Sequence, residues 1–133
     1  ALRDLSKEGL ILREKKGRMY FYKAPYGSAL IKYLKITKTI ASLYFLIERL
    51  KKVSLRVVLY GSAAKGEDIS TSDIDIFIMT RTPDDAEKII FKDTLREKIK
   101  YVVHAPTDFI KFKKGNPVFC KEIESGILLW EHK

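Results

Sequence analysis

Apolar runs in the second half of the chain predict three strands. Residues 55–60 form a largely apolar run that ends at Gly61. Residues 73–79 alternate aspartates with apolar side chains, as expected of a strand with two different faces. Residues 100–104 predict the third strand.

Helical patterns separate these strands. Residues 62–65 predict one short helical turn, which a loop connects to the second strand. Thr82 precedes a proline and two aspartates, a pattern typical of a helix start, and this helix is predicted to extend to about Lys98. The remaining predicted elements are two short helices and a final edge strand or terminal turn, at 107–114, 117–125 and 126–130.

The first half of the chain predicts a helix, a hairpin and a long helix. The first helix spans 1–8, and strands at 10–13 and 18–23 flank a tight connection in which Gly17 supplies a positive φ. The long helix spans 28–52. Its apolar stripe consists of Leu30, Ile31, Leu34, Ile40, Leu43, Tyr44, Ile47 and Leu50.

The composition predicts a folded chain of one domain, or of one small domain with an appendage. The chain has 133 residues, of which 46% are hydrophobic, enough for a core. It has no apolar run of about 18 residues, so we expect no membrane segment. Its one cysteine, Cys120, excludes an internal disulfide and is expected to be a small buried side chain. A reducing cytoplasm is the expected compartment.

The positive charge is confined to the front of the chain. The net charge is +9, and residues 1–52 carry 13 basic and 4 acidic side chains, whereas residues 53–133 carry 13 of each. This asymmetry predicts that the front part binds a polyanion.

A Gly-Ser pair and an Asp-x-Asp pair suggest a phosphate and metal site. Gly61 follows a predicted strand, where a glycine lets the backbone approach a phosphate closely, and the Ser62 hydroxyl adds a hydrogen-bond donor. Asp73 and Asp75 lie two residues apart on the next strand, so both project from one face. Two adjacent carboxylates repel each other unless a cation lies between them, and hard oxygen ligands suit Mg²⁺.

At these residues the sequence resembles the polymerase-beta-like nucleotidyltransferase superfamily, whose signature is Gly-Ser followed by Asp-x-Asp. It is most similar to the minimal nucleotidyltransferases of archaea and bacteria. The matching stretches run from Gly61 to Glu67 and from Ser72 to Asp75, within a resemblance that covers about 53–130. The resemblance implies an α/β (α+β) fold in which helices flank a mixed β-sheet.

The resemblance also implies residue roles. Gly61 and Ser62 would hold the triphosphate of a nucleoside triphosphate, expected to be ATP, with contributions from Lys65 and Ser72. The catalytic pair Asp73 and Asp75 would hold Mg²⁺. The implied reaction transfers a nucleotidyl group, expected to be AMP, to an acceptor that no motif identifies.

The sequence departs from the family at a third carboxylate. Relatives with transferase activity carry this group on the following strand, whereas residues 100–104 contain no acid. Asp108, just beyond that strand, is a candidate catalytic replacement and equally a helix cap. His104 is a candidate general base, although a lone histidine at the end of a strand is more often structural. The sequence therefore leaves open whether this domain transfers a nucleotide or only binds it.

Residues 1–27 are similar to the end of a winged-helix DNA-binding domain, namely its recognition-helix end and wing hairpin. A connecting helix at 28–52 and the nucleotidyltransferase-like domain at 53–133 complete the predicted organisation. The candidate contacts to the phosphates of duplex DNA are Arg13, Lys15, Lys16, Arg18 and Lys23.

Three further expectations follow from the winged-helix resemblance. The helices that precede such a segment are absent, so the chain is expected to be the C-terminal piece of a longer protein. The apolar and aromatic residues at 19–22 are expected to pack against the long helix rather than stack on bases. The broad apolar stripe of the long helix suggests a connector or a homodimer interface.

The sequence is compatible with three functions. The first is a Mg²⁺-dependent nucleotidyltransferase that modifies a protein or a small molecule. The second is a winged-helix transcriptional regulator whose nucleotidyltransferase-like domain binds nucleotide without catalysis. The third is an antitoxin that modifies or neutralises a partner protein.

Overall fold

The computed structural model describes residues 1–23 and 28–133. A single 3₁₀ turn, Arg96–Lys98, precedes the fifth strand. The other elements, in chain order, are α1 (Leu2–Lys7), β1 (Leu12–Lys16), β2 (Met19–Lys23), α2 (Ala29–Ser42), α3 (Tyr44–Leu50), β3 (Arg56–Tyr60), α4 (Gly61–Lys65), β4 (Ile74–Met79), α5 (Pro83–Phe91), β5 (Ile99–His104), α6 (Pro106–Gly115), α7 (Pro117–Glu124) and β6 (Ile127–Glu131).

Four strands form a mixed sheet in the order β5-β4-β3-β6. β3 is antiparallel to both of its neighbours, and β4 is parallel to β5. The parallel pair requires a crossover, which α5 and the 3₁₀ turn provide. The predicted fold class, a mixed sheet flanked by helices, is therefore confirmed.

Helices cover both faces of the sheet, and β4 is buried between them. Ile76 and Ile78 pack in a cluster with buried residues of α3 and α5, whereas Phe77 faces a second cluster that includes Ile123 of α7. All three of these β4 residues are completely buried. Alternate strand residues point to opposite faces, which explains why this segment is continuously apolar. Each such side chain contributes about 2 kcal/mol of hydrophobic stabilisation.

The predicted long helix at 28–52 is interrupted at Leu43, which separates α2 from α3. Hydroxyl groups supply the physical reason, because Ser42 Oγ donates to the Thr39 carbonyl at 2.6 Å and Thr37 Oγ1 donates to the Tyr33 carbonyl at 2.8 Å. Such bonds to carbonyls of the preceding turn bend helices. After this interruption, the buried residues of α3 pack in the hydrophobic cluster on one face of the sheet, so α3 is not a free connector.

The predicted helix from Thr82 to Lys98 ends at Phe91. Its start is as predicted, with Thr82 as the N-cap residue and a proline next. Beyond the end, Asp93 Oδ1 accepts the Leu95 N–H at 2.8 Å and its carboxylate pairs with Arg49 of α3. An aspartate that bonds a nearby backbone N–H competes with helix continuation.

The front hairpin differs from the prediction in the bounds of its strands and in its packing. Residues Glu14–Lys16 belong to β1, and the turn consists of Gly17, with φ +63°, and Arg18. Met19, Tyr20 and Phe21 are exposed, so the expectation that this aromatic stretch packs against the long helix is wrong for these three. Most residues of the two strands are exposed, as is common in a two-stranded ribbon.

Two expectations about single features can be compared with the structure. Cys120 is buried in α7, as expected of a small apolar side chain. Within 1–23 and 28–133, none of the helices combines the length and apolar character needed to cross a bilayer.

Candidate functional site

Gly61 stands where β3 turns into α4, and both its backbone and its surroundings require a glycine. Its φ is +72°, a left-handed conformation that other residues rarely adopt. A Cβ at this position would overlap the carboxylate of Asp75 on the adjacent strand. The glycine therefore lets the turn lie directly against Asp75.

The antiparallel pairing of β3 and β4 creates this juxtaposition. Tyr60, the last residue of β3, is the register partner of Asp75 near the start of β4. Asp73 lies just ahead of β4, two residues from Asp75 and on the same side of the strand. Asp73 is exposed and Asp75 is half-buried. The structure thus brings the predicted glycine and both predicted aspartates together.

Opposing influences act on the Asp75 carboxyl. Burial is the largest, and it raises the pKa of Asp75 above its ordinary value of 3.8. The negative charges of Asp73 and Glu122 raise the same pKa further, while the Lys100 ammonium lowers it. The ionised carboxylate is therefore less favoured in the protein than in free solution, and a bound cation would favour it.

Tyr60 experiences the same negative field. Burial, then the charges of Asp75 and Glu122, raise the pKa of Tyr60 from 10.0 to about 12. Its ring packs edge-on against Phe119, with centroids 5.4 Å apart. Tyr60 therefore keeps its hydroxyl proton at neutral pH and can only donate or accept a hydrogen bond, not act as a base.

Lys100 is a member of this site that the sequence analysis missed. It is the residue of β5 in register with Asp75, and in a parallel pair such partners face the same side of the sheet. Its Nζ lies 3.9 Å from Asp73 Oδ2. The sequence predicts a strand at this position, but it does not predict the parallel register that places Lys100 beside Asp75.

Glu122 is the second residue that sequence reasoning missed. It lies on α7, which packs over the face of the sheet that carries Asp75. Its charge raises the pKa of both Asp75 and Tyr60. No spacing rule connects a glutamate on a late helix to an aspartate on an early strand, so only the packing of α7 reveals it.

The aspartate pair fits a magnesium ion that is shared with a substrate. Among residues 1–23 and 28–133, no three His, Cys, Asp or Glu side chains are grouped as a metal site. Mg²⁺ does not need such a group, because it usually binds one or two carboxylates together with substrate phosphates and keeps several waters. Asp73 and Asp75 supply two carboxylates beside the backbone turn at Gly61.

The other predicted nucleotide contacts, Ser62, Lys65 and Ser72, differ in their burial and in their hydrogen bonds. Ser62 is half-buried in α4, and Lys65 is exposed at the last position of the same helix. Ser72 Oγ accepts the N–H of Ile69 at 2.9 Å, so its hydroxyl oxygen helps to close the loop ahead of Asp73. Ser72 thus has a structural contact in addition to its proposed role.

Helix α2 holds the loop that leads to Asp73. Gly66 has φ +66°, and a Cβ there would overlap the backbone of Lys32 in α2. Lys35, also in α2, donates a hydrogen bond to the Asp68 carbonyl, and its Nζ lies 3.8 Å from the Asp68 carboxylate. The conformation of the loop therefore depends on a helix outside the sheet core.

The structure does not bring Asp108 and His104 to the aspartate pair. Asp108 lies in the first turn of α6, beyond the C-terminal end of β5. His104 pairs with Met79, four residues along β4 from Asp75, a separation of roughly 13 Å along the strand. The His104 ring lies 4.5 Å from the Phe112 ring, centroid to centroid. The expected catalytic position of Asp108 is therefore at the wrong end of the sheet.

The predicted DNA contacts lie in or beside the front hairpin. The guanidinium carbon of Arg13 lies 3.6 Å from the centre of the Tyr20 ring, and Lys15 Nζ lies 5.8 Å from it. Lys16 Nζ lies 5.5 Å from the centre of the Phe21 ring. The remaining cations are Arg18, in the turn, and Lys23, at the end of β2. Three of the five cations therefore lie over an aromatic ring.

Comparisons with known proteins identify the family and the fold of the chain. A search of curated proteins finds no significant match. The crystal structure of a "putative nucleotidyltransferase" from Sulfolobus solfataricus superposes with a TM-score of 0.53 at 16% identity, over 81% of this chain and 94% of that one, which shows a shared fold. The family model described as "Polymerase beta, Nucleotidyltransferase" matches residues 43–133, which include α3, the whole sheet and the aspartate pair. The chain therefore belongs to the polymerase beta nucleotidyltransferase family.

Proposed function

We propose that the chain is a Mg²⁺-dependent nucleotidyltransferase that uses a nucleoside triphosphate, ATP in the first instance, and transfers its nucleotidyl group to an acceptor. One observation carries the proposal. The Gly61 turn, which lacks a Cβ, lies directly against Asp75, with Asp73 on the same face. A phosphate held at the turn would therefore be within reach of both carboxylates.

Each residue has a distinct role in this proposal. Gly61 keeps the backbone turn close to the carboxylates, and Ser62 offers its hydroxyl as a donor to the triphosphate. Asp73 and Asp75 would hold Mg²⁺, which in such sites polarises the reacting phosphate and orients the attacking group. Lys65 is exposed and available to pair with outer phosphate oxygens.

The negative field assists the binding of metal. Burial and the charge of Glu122 both raise the free energy of the ionised Asp75 carboxylate. A divalent cation would offset the repulsion between these negative charges. It would also reduce the repulsion between the aspartates and the triphosphate, so nucleotide and cation are expected to bind better together than separately.

Calorimetric titration with ATP, with and without Mg²⁺, tests the proposal. Wild type is expected to bind ATP in a Mg²⁺-dependent manner, and the double variant Asp73→Asn/Asp75→Asn is expected to lose that dependence. The matched control is Asp84→Asn/Asp85→Asn, which neutralises an exposed aspartate pair in the first turn of α5. ATP binding that is unchanged in the first double variant would contradict the proposed site.

We also propose that the front hairpin binds duplex DNA through its phosphates. The supporting observation is a group of cations beside exposed rings, with Arg13 and Lys15 over Tyr20 on one face of the ribbon and Lys16 over Phe21 on the other. Contacts of this kind neutralise phosphates without reading sequence, so the affinity should fall steeply with salt.

Charge reversal tests the DNA proposal separately. Lys15→Glu/Lys16→Glu should weaken binding to a random duplex and reduce the slope of log affinity against log salt by about 2, one for each lost contact. The control is Lys113→Glu/Lys114→Glu, which reverses two consecutive exposed lysines at the end of α6. Equal losses in both variants would assign the effect to net charge and refute a hairpin site.

A further inference from the structure

Lys100 brings a positive charge into the aspartate site from the third strand. It is the register partner of Asp75 on β5, and its Nζ lies 3.9 Å from Asp73 Oδ2. One lysine therefore acts electrostatically on both carboxylates that would hold the metal.

The Lys100 side chain is available to a ligand as well as to the aspartates. It is 75% exposed, and the Asp73 side chain is 51% exposed. An ion pair this exposed is weak, so the ammonium can turn to a phosphate without a large loss. A compact ammonium on a flexible stem is a common phosphate-binding group.

A lysine in this place also limits how many cations the site accepts. Two-metal sites place their ions about 3.5–4 Å apart and need carboxylates around both. Within the described ranges, no third acidic, histidine or cysteine side chain completes such a group with Asp73 and Asp75. The β5 side of the pair presents Lys100, whose positive charge would disfavour a second cation there.

We propose that Lys100 is a substrate-binding residue that supplies the second positive charge of this site, so that Asp73 and Asp75 take a single divalent cation. The inference rests on the proposed function, because it assumes that a triphosphate binds beside the aspartates. Lys100 opposes the metal when the site is without nucleotide and attracts the triphosphate when nucleotide arrives.

Two opposite changes in Lys100→Met test this inference. Methionine keeps much of the stem and removes the charge, so Mn²⁺ binding without nucleotide should tighten about tenfold, as expected for two nearby charges in a partly exposed site. Binding of a non-hydrolysable ATP analogue in EDTA should weaken about tenfold for the same reason. Lys98→Met, which removes an exposed charge in the 3₁₀ turn, should leave both affinities unchanged.

Free Mn²⁺ measured by electron paramagnetic resonance, together with calorimetry of the analogue, gives both affinities and the stoichiometry. Wild type saturated with the analogue should bind one Mn²⁺ per chain. Two Mn²⁺ ions per wild-type chain, or two affinities that stay constant or weaken together in Lys100→Met, would overturn the inference.

The proposed function can fail independently of this inference. If ATP binding depends on Asp73 and Asp75 while Lys100→Met behaves as wild type, the nucleotide site stands and the role of Lys100 falls. If wild type binds neither Mn²⁺ nor ATP and Lys100→Met does not restore either, both proposals fall. Mn²⁺ binding that appears only in Lys100→Met supports the inference, because it shows that the ammonium opposes the metal.

Discussion

The two ends of the β4–β5 pair both carry titratable side chains, yet the charges collect at only one end. At the N-terminal end Asp73, Asp75 and Lys100 act on one another. At the C-terminal end His104 lies among aromatic rings, 4.5 Å from Phe112 and 6.3 Å from Phe77 between centroids. One end of the sheet is suited to a ligand, and the other is part of the core.

Strand direction explains the difference. β3 and β4 are antiparallel, so the residue after β3 meets the beginning of β4, and Gly61 comes to lie against Asp75. β5 is parallel to β4, so the residue beside Asp75 comes from the beginning of β5. A residue that follows β5, such as Asp108, must therefore lie far from the aspartates.

The largest expected effect comes from a substitution in the backbone turn at the end of the sheet that carries Asp73, Asp75 and Lys100. Gly61→Ala places a Cβ at φ +72°, against the Asp75 carboxylate. Alanine in a left-handed conformation, together with the displaced carboxylate, should cost about 2–3 kcal/mol of the free energy of unfolding. Urea denaturation measures this loss, and calorimetry should show Mg²⁺-dependent ATP binding reduced by at least about tenfold.

The control and a second substitution separate the two causes. Gly115→Ala, at the end of α6, meets no atom within 4 Å and should change the stability by less than about 1 kcal/mol. Because Asp75→Ala removes the overlapping carboxylate, it should cost less stability in the Gly61→Ala background than in wild type. Additive costs would show that Gly61 and Asp75 are not in the contact described.

A smaller effect concerns the pH dependence of stability at the same end. Burial raises the pKa of Asp75 above 3.8, so the folded protein holds this proton more tightly than the unfolded chain does. The stabilisation is present below pH 3.8 and is lost as the pH rises through the raised pKa. Asp75→Asn does not titrate, so its stability relative to wild type should increase over that window.

Metal-free urea denaturation between pH 3 and 7 measures this change. Asp84→Asn, in the first turn of α5, is the control for the loss of one carboxylate from an exposed position. The comparison uses the difference between each variant and wild type, so that other titrating groups cancel. If the stability of Asp75→Asn relative to wild type fell as the pH rises, attraction to Lys100 would outweigh burial at Asp75.

Much of the sheet could be predicted from the sequence because its signals are local. The apolar run before Gly61 and the alternation around Asp75 each predict a strand, and the structure has β3 and β4 there. The glycine and the two aspartates also belong to this local pattern. An antiparallel pair with a short connection keeps sequence neighbours close in space. The glycine and the two aspartates of the candidate site could therefore be predicted from the sequence.

The rest depends on contacts between distant segments. Lys100 joins the site through a parallel register, and Glu122 joins it through the packing of α7. The helix break at Leu43 depends on hydroxyl groups that bond to carbonyls within α2, which apolar periodicity does not record. Asp108 was misplaced because closeness in sequence to β5 does not specify which end of the sheet it reaches.

The smallest expected effect concerns the C-terminal end of the β4–β5 pair. Asp108→Asn should leave Mg²⁺-dependent ATP binding unchanged, because Asp108 follows the end of β5 that is opposite to Lys100. The variant should lose at most about 1 kcal/mol of stability, the typical contribution of a negative charge in the first turn of a helix. Calorimetry beside Asp73→Asn gives the comparison on one scale. If Asp108→Asn lost as much affinity as Asp73→Asn, α6 would have to bring Asp108 to the aspartate pair when nucleotide binds, and the division between the two ends would not hold.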